Sequence, residues 1–286
     1  FKTIPESINR TVALETKEAD IAYDLAATDF ESVEKNPDLK LEKAASTTVW
    51  YLGMNTRDPI LANKLVRKAI ATAINVDDFI TMVFNGNADP AHNTMLTPYL
   101  PGYVADAVKY DYSVENAKAL LAEAGYPDGV DVGTILTTSS AHNSKTAQVL
   151  QADLEAVGIH AKVDMLDVSM AVEKWQAQDY DICVYGDSGN YDFNNIRQQV
   201  HSESVGMYVI NYTIGDKFNW QRMEELVALG AGTAKLEDRM TYYTELWSMI
   251  MDTATILPLI NRPVAIVWAD DLDVGTPVPT YYKVRN

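Results

Sequence analysis

Hydrophobic and polar positions along this chain keep switching between a period of two and a period of three to four. The switch is plainest between Thr47 and Gly86. Val49 and Tyr51 lie among β-branched and aromatic residues, which suit a strand. Asn55-Thr56-Arg57-Asp58-Pro59 is turn chemistry, and Pro59 cannot extend a ladder. Leu65, Ile70, Ala73 and Ile74 then recur at helical spacing and give one apolar face. Asn75, followed by Asp77 and Asp78, predicts a second helix: a short polar side chain caps free N–H groups, and acids suit a helix N-terminus.

The same reading covers the rest. Residues 1–45 predict strand, helix, strand, helix, strand, with Thr28 and Glu31 spaced as a capping box and Leu39 and Leu41 alternating with Lys40 and Glu42. Residues 86–112 carry Pro90, Pro98 and Pro101 and read as a long loop that wraps a surface or borders a site. Ser113 caps a helix that stops at Gly125, with Pro127 beyond. Val130–Thr137, Asn143–Val157 and Ile159–Leu166 form a strand–helix–strand unit broken at Gly158, which implies parallel pairing and a right-handed crossover. A helix over 168–178 and a strand from Tyr180 to Tyr185 follow. Residues 187–217 lack periodicity, helices are predicted at 218–229 and 235–252, and Ile256 to Trp268 is strand-rich, with Pro258 and Pro263 confining its pairing to edges or breaks. The alternation predicts an α/β fold.

Composition narrows the function. The 286 residues carry a formal charge of −17, which opposes nucleic acid and anionic membrane surfaces alike; both call for a basic face. Cys183 is the one cysteine, so no internal disulfide forms. No apolar run is long enough to span a membrane. Phe1 opens without an initiator Met or a leader, which reads as a fragment or a processed chain.

Two chemistries stand out among the residues. Gly186-Asp187-Ser188-Gly189 matches the serine context of trypsin-like proteases, and a hydrolase built on Ser188 would need His142 within hydrogen-bond reach. The residues after Gly189 depart from that pattern, and a polar loop after a strand is the simpler reading. The four histidines, His92, His142, His160 and His201, show no metal-site spacing, yet a site assembled from distant residues, with His142 and His201 converging, would suit nickel. No metal and no cofactor is assigned.

An ordered set of motifs resembles one family. Ile4-Pro5-Glu6-Ser7 through Ala19-Asp20-Ile21, Tyr51 to Asn55, Val66-Arg67-Lys68-Ala69-Ile70, Ala73-Ile74-Asn75, Gly86 to Ala91, and Tyr110-Asp111 through Ala124-Gly125-Tyr126-Pro127 are similar to runs of extracytoplasmic solute-binding proteins of ABC importers, peptide/nickel class. The resemblance implies an α/β, periplasmic-binding-protein-like (class II) lobe with a mixed sheet flanked by helices, plus part of the other lobe. It divides the chain into 1–52 (first lobe), 53–262 (second lobe, complete) and 263–286 (return to the first). It implies a non-enzymatic carrier that holds oligopeptides or dipeptides between two lobes outside the cytoplasm and delivers them to membrane permease subunits. A nickel, metallophore or other small-solute carrier is the alternative. A long N-terminal half of the same protein would precede Phe1, so the chain is expected to expose apolar surface or pair with another copy.

The resemblance also points to site residues. In peptide-binding members an aspartate in the loop after strand 180–185 pairs with the peptide's α-amino group. Here that loop runs Tyr185-Gly186-Asp187-Ser188-Gly189-Asn190-Tyr191-Asp192-Phe193, and the family's register places the aspartate near Gly189, with Asp187 the nearest acid. Asp187, Tyr185 and Asp192 are therefore ligand candidates, with His142 and with Trp50 and Tyr51, which fall where the family's chain passes between lobes. For Trp50 and Tyr51, packing of the inter-lobe strand is an equal reading. Arg67, inside the helix pair, is read as structural.

Overall fold

A computed structural model describes residues 2–44, 46–91, 94, 96–98, 100, 102–105, 107–139, 141–188 and 219–275. In chain order its elements are α1 (Ser7–Glu15), β1 (Ile21–Tyr23), a 3-10 turn (Ala27–Asp29), α2 (Phe30–Glu34), β2 (Leu39–Ala44), β3 (Thr48–Met54), α3 (Lys64–Ala73), α4 (Val76–Phe84), β4 (Asp89–Pro90) and α5 (Val114–Glu123). There follow β5 (Val130–Thr138), α6 (Ala141–Ala156), β6 (Ile159–Leu166), α7 (Val168–Ala177), β7 (Ile182–Ser188), α8 (Trp220–Gly232), α9 (Leu236–Asp252), β8 (Ile256–Asn261) and β9 (Val264–Ala269).

The strands form two sheets. The smaller has the order β1-β9-β2, all antiparallel. The larger has the order β4-β8-β3-β7-β5-β6 and is mixed, as expected. Its parallel part is the predicted crossover unit: β5 and β6 pair from Val130↔Ile159 to Thr138↔Leu166, and β7 joins β5 in parallel at Ile135↔Ile182. Gly158 takes φ 87°, a left-handed conformation that lets the chain leave α6 and enter β6 at once. Strand β3 is antiparallel to β7 on one side and to β8 on the other. All seven of its residues pair within the larger sheet, so the expected lobe boundary after residue 52 falls inside a strand.

Alternation along β3 feeds two cores. Trp50, Leu52 and Met54 join the cluster built with α3, α4, α5 and α6, which continues into Leu14, Phe30, Val33 and Val267 around the smaller sheet. Val49 and Tyr51 join the opposite cluster, with Trp175 of α7, Leu226 of α8 and Trp247 of α9. Strand side chains point to alternate faces, so one central strand supplies both.

Helix starts follow the sequence. Asn63, Asn75 and Ser113 each accept a hydrogen bond from a backbone N–H of the first turn, at Leu65, Asp78 and Asn116. Two expectations are corrected. Lys2–Pro5 enter no strand. Thr28 does not cap α2; its hydroxyl donates to the Asp29 carboxylate at 3.2 Å, while Ser7 bonds the other Asp29 oxygen and ties the 3-10 turn to α1. Pro258 meets its expectation: the ladder breaks there, slipping register from Tyr51↔Pro258 to Trp50↔Ile260, and β4 bonds β8 only at Ile260 and Asn261.

Arg67 is structural, as read from the sequence. It is 1% exposed. Its Nε and Nη2 donate to the Thr253 carbonyl at 3.0 and 2.8 Å, and Nη1 donates to the Leu61 and Ala62 carbonyls at 2.7 and 3.0 Å. Burial pulls the guanidinium down to about 10, which still leaves it charged at neutral pH. It thereby fastens the start of α3 to the turn between α9 and β8. Replacing it by leucine strands several buried carbonyls, so Arg67→Leu is expected to lower unfolding free energy by about 3 kcal/mol in urea titration, with Arg67→Lys recovering part of the loss.

Candidate functional site

The parallel strands β5, β6 and β7 end at one edge of the larger sheet, at Thr138, Leu166 and Ser188. Antiparallel β3 starts and β8 stops at the same edge, since Thr48 lies opposite Ser188 and Val49 opposite Asn261. Both crossings to the smaller sheet, from Ala44 to Thr48 and from Asn261 to Val264, leave from here. They are stitched together. The Arg262 N–H donates to the Thr48 carbonyl at 3.0 Å, the Ser46 hydroxyl donates to the Arg262 carbonyl, and the Thr48 N–H donates to the Ser46 hydroxyl oxygen at 3.1 Å. Ligands of α/β proteins settle at such carboxyl edges.

A file of stacked side chains occupies one face at this junction. The Trp50 and Phe84 rings meet edge to face at 5.4 Å, and Phe84 stacks on His142 at 5.5 Å and 15°. The Arg262 guanidinium sits 5.7 Å from the centre of the Trp50 ring, a cation–π arrangement. Arg262 also pairs through Nη2 with Asp24, in the turn after β1, where the backbone takes φ 58°. Gly186 faces Trp50 across the ladder, and a Cβ there would come 2.6 Å from Cδ1 and Nε1 of the indole. Only glycine lets the ring lie against β7. On the opposite face, Tyr51 meets Tyr185 at 5.9 Å, and Tyr185 meets Trp175 at 4.8 Å.

The candidate residues thus fall into two groups. Trp50 and His142 come together through Phe84; Tyr51 and Tyr185 come together across the sheet from them. Asp187 pairs by backbone register with Val49, and Ser188 with Thr48; their side chains, and the whole of His92, Asp192 and His201, lie outside the described residues. His160 is at the far strand, where its Nδ1 and a Glu155 carboxylate oxygen are 2.8 Å apart. Among the described residues no three His, Cys, Asp or Glu side chains converge as a metal site.

Electrostatics at the file are set by burial and by Arg262. His142 titrates below its ordinary 6.5, first because burial disfavours the imidazolium and next because Arg262 is positive, with Lys145 adding to the effect and Asp24 and Asp29 opposing it. It is therefore neutral at pH 7. Sequence reasoning missed Arg262, Asp24, Phe84 and Gly186. One signal was present: Arg262 is a lone charge inside the apolar run from Ile256 to Trp268, where only a residue leaving the core escapes desolvation.

Residues 1–200 match the family described as bacterial extracellular solute-binding proteins, family 5, middle region. The chain is 29% identical over 192 residues to di/tripeptide-binding protein 2 of Pseudomonas aeruginosa, covering 64% of this chain and 35% of the relative. It is 33% identical over 174 residues to the glutathione-binding protein GsiB of Pectobacterium atrosepticum, covering 58% and 32%. The Helicobacter pylori periplasmic binding protein DppA, solved with the peptide STSA, superposes with a TM-score of 0.85 at 26% identity, over 98% of this chain and 54% of that one. The chain therefore spans about a third to a half of these proteins.

Gly186→Ala is expected to push the Trp50 ring off β7, costing about 1–3 kcal/mol in denaturant titration and shifting tryptophan emission. A depressed histidine pKa destabilises the folded state once protons are taken up. Stability supplied by neutral His142 is therefore complete above 6.5 and is lost as pH falls through its lowered folded value. Thermal midpoints should drop across that interval, and His142→Gln should flatten this part of the profile.

Proposed function

The chain belongs to the family 5 bacterial extracellular solute-binding proteins, and from that premise we propose that it is the ligand-capturing component of an ABC importer for short peptides, working outside the cytoplasm. The observation that carries the reading is the junction: two sheets joined, among the described residues, by two stitched crossings at the carboxyl edge of β5, β6 and β7. Such a joint serves a binding cycle without bond chemistry. Ligand held between lobes stabilises the closed arrangement by its differential affinity, and the permease reads that arrangement. The proposed lobes divide at these crossings, near residues 45–47 and 262–263, and not after residue 52. Trp50 with His142 and Tyr51 with Tyr185 remain proposed ligand contacts, in the two groups described above, and Asp187 and Asp192 remain proposed beside them.

A further segment of the same polypeptide is proposed to complete the smaller lobe. Ile8 and Val12 of α1 and Ile21 and Tyr23 of β1 are 39–57% exposed, and Ile21 and Tyr23 line a groove of about 750 Å³ together with Ile4, Arg10 and Asp20 among others. The matched relatives are about twice as long, which supports a continuation of this kind. Among the described residues no helix is long and apolar enough to cross a membrane.

Native mass spectrometry of the protein as its own cells make it, mixed with a panel of dipeptides and tripeptides, tests the reading. One-to-one peptide adducts that vanish on partial unfolding are the expected result. An intact fold that gains no peptide mass would overturn the peptide assignment.

A further inference from the structure

Arg262 has more hydrogen-bonding capacity than the described residues of the junction use. A guanidinium carries five N–H donors in a planar fork. Among the described residues its side-chain partner is the Asp24 carboxylate, reached through Nη2, and its central carbon lies over the Trp50 ring. No acceptor among the described residues is bonded to Nε or Nη1. The side chain is 25% exposed and that of Asp24 is 51% exposed, so the pair is open to solvent at the edge where β5, β6 and β7 end. The partner that fits a fork of this kind is a carboxylate, because two parallel charge-assisted bonds match its geometry.

Charge sharpens the point. A chain with a formal charge of −17 repels acidic solutes unless a cation is placed where they bind. His142, the other basic group in the file, is neutral at pH 7 for the reasons given above. Lys145 is the further cation that acts on that histidine, and Asp29 the further acid. Asp24 meanwhile neutralises Arg262 from the smaller sheet. An acidic solute therefore meets a cation that already has an internal carboxylate beside it.

We propose that Arg262 selects ligands bearing a carboxylate, and that the ligand's carboxylate competes with Asp24 for the guanidinium, so that capture of an acidic solute loosens a tie between the smaller sheet and the crossing that carries Arg262. The inference rests on the solute-carrier reading and adds a specificity residue to it. Arg262 suits this role because its backbone already holds the crossing through Thr48 and Ser46, leaving its side chain for recognition. Trp50 places its ring beneath the guanidinium, and Gly186 lets that ring lie against β7.

The test uses four probes on the intact protein by calorimetry: Ala-Glu, Ala-Gln, and the C-terminal amide of each. They separate a side-chain carboxylate from a terminal one. The unsubstituted protein should favour a carboxylate-bearing member over its amide counterpart by about tenfold or more, at one of the two positions. Arg262→Gln should remove that preference while leaving the doubly amidated probe within about twofold, and Arg262→Lys should restore part of it. Asp24→Asn should tighten the carboxylate-bearing probes several-fold and leave the neutral one unchanged. Equal weakening of all four probes by Arg262→Gln would make the side chain a structural tie and overturn the proposal. Unaltered or weaker binding of acidic probes by a folded Asp24→Asn protein would overturn the competition. Binding of none of the four by the unsubstituted protein would bring down the peptide-carrier reading itself, and this inference with it.

Discussion

Strand β3 is bonded to β7 along one edge and to β8 along the other, and its alternate side chains enter two separate cores. That double burial fixes the molecule. A slip of one residue would carry Trp50, Leu52 and Met54 to the side of Trp175 and Trp247 and bring Val49 and Tyr51 the other way. The slip at Pro258 is tolerated because it is taken up in β8, which has only the two-residue β4 on its far side. The site inherits its geometry from the same strand. Thr48 receives the stitch from Arg262, Trp50 receives the guanidinium, and Tyr51 receives Tyr185.

Polar groups near the junction work by different physics. Arg67 is buried and surrounded by carbonyls, so its value lies in satisfying acceptors that would otherwise be stranded. Arg262 is at the surface, where an ion pair alone contributes little to stability. Its pairing with Asp24 is better understood as setting a local charge than as holding the fold. The Arg262 N–H bond to the Thr48 carbonyl and the two bonds of the Ser46 hydroxyl perform the holding, and none of them uses the Arg262 side chain.

Local rules carried the sequence reading where one segment contains the whole cause. Asn75 and Ser113 cap helices because the accepting oxygen and the free N–H lie within one turn. The β5–α6–β6 unit was legible because Gly158 marks the break and the apolar period changes on either side of it. Distance in sequence defeated the rest. Lys2–Pro5 has strand-like composition, yet a strand needs a neighbour to bond. Thr28 lost its capping role to a contact between Ser7 and Asp29, 22 positions apart. Arg262 and Asp24 are separated by 238 positions. The role of Gly186 is visible only when Trp50 is laid across from it. Membership of the family followed from ordered motifs over most of the chain, whereas the stacked file depends on β3, α4, α6 and a crossing meeting in space.

Strand β6 closes the larger sheet on the side away from β4, and among the described strands its outer edge has no partner. Open edges recruit stray strands from other molecules, a hazard for a polypeptide that folds slowly around non-local pairings. This edge alternates His160, Lys162 and Asp164 with apolar residues, and Lys174 of α7 reaches across to Asp164 at 3.0 Å. Any intruding strand would have to desolvate those charges and break that bridge. The row of charges thus acts as a guard on colloidal behaviour, keeping a half-completed sheet from templating its neighbours while the remaining pairings are found.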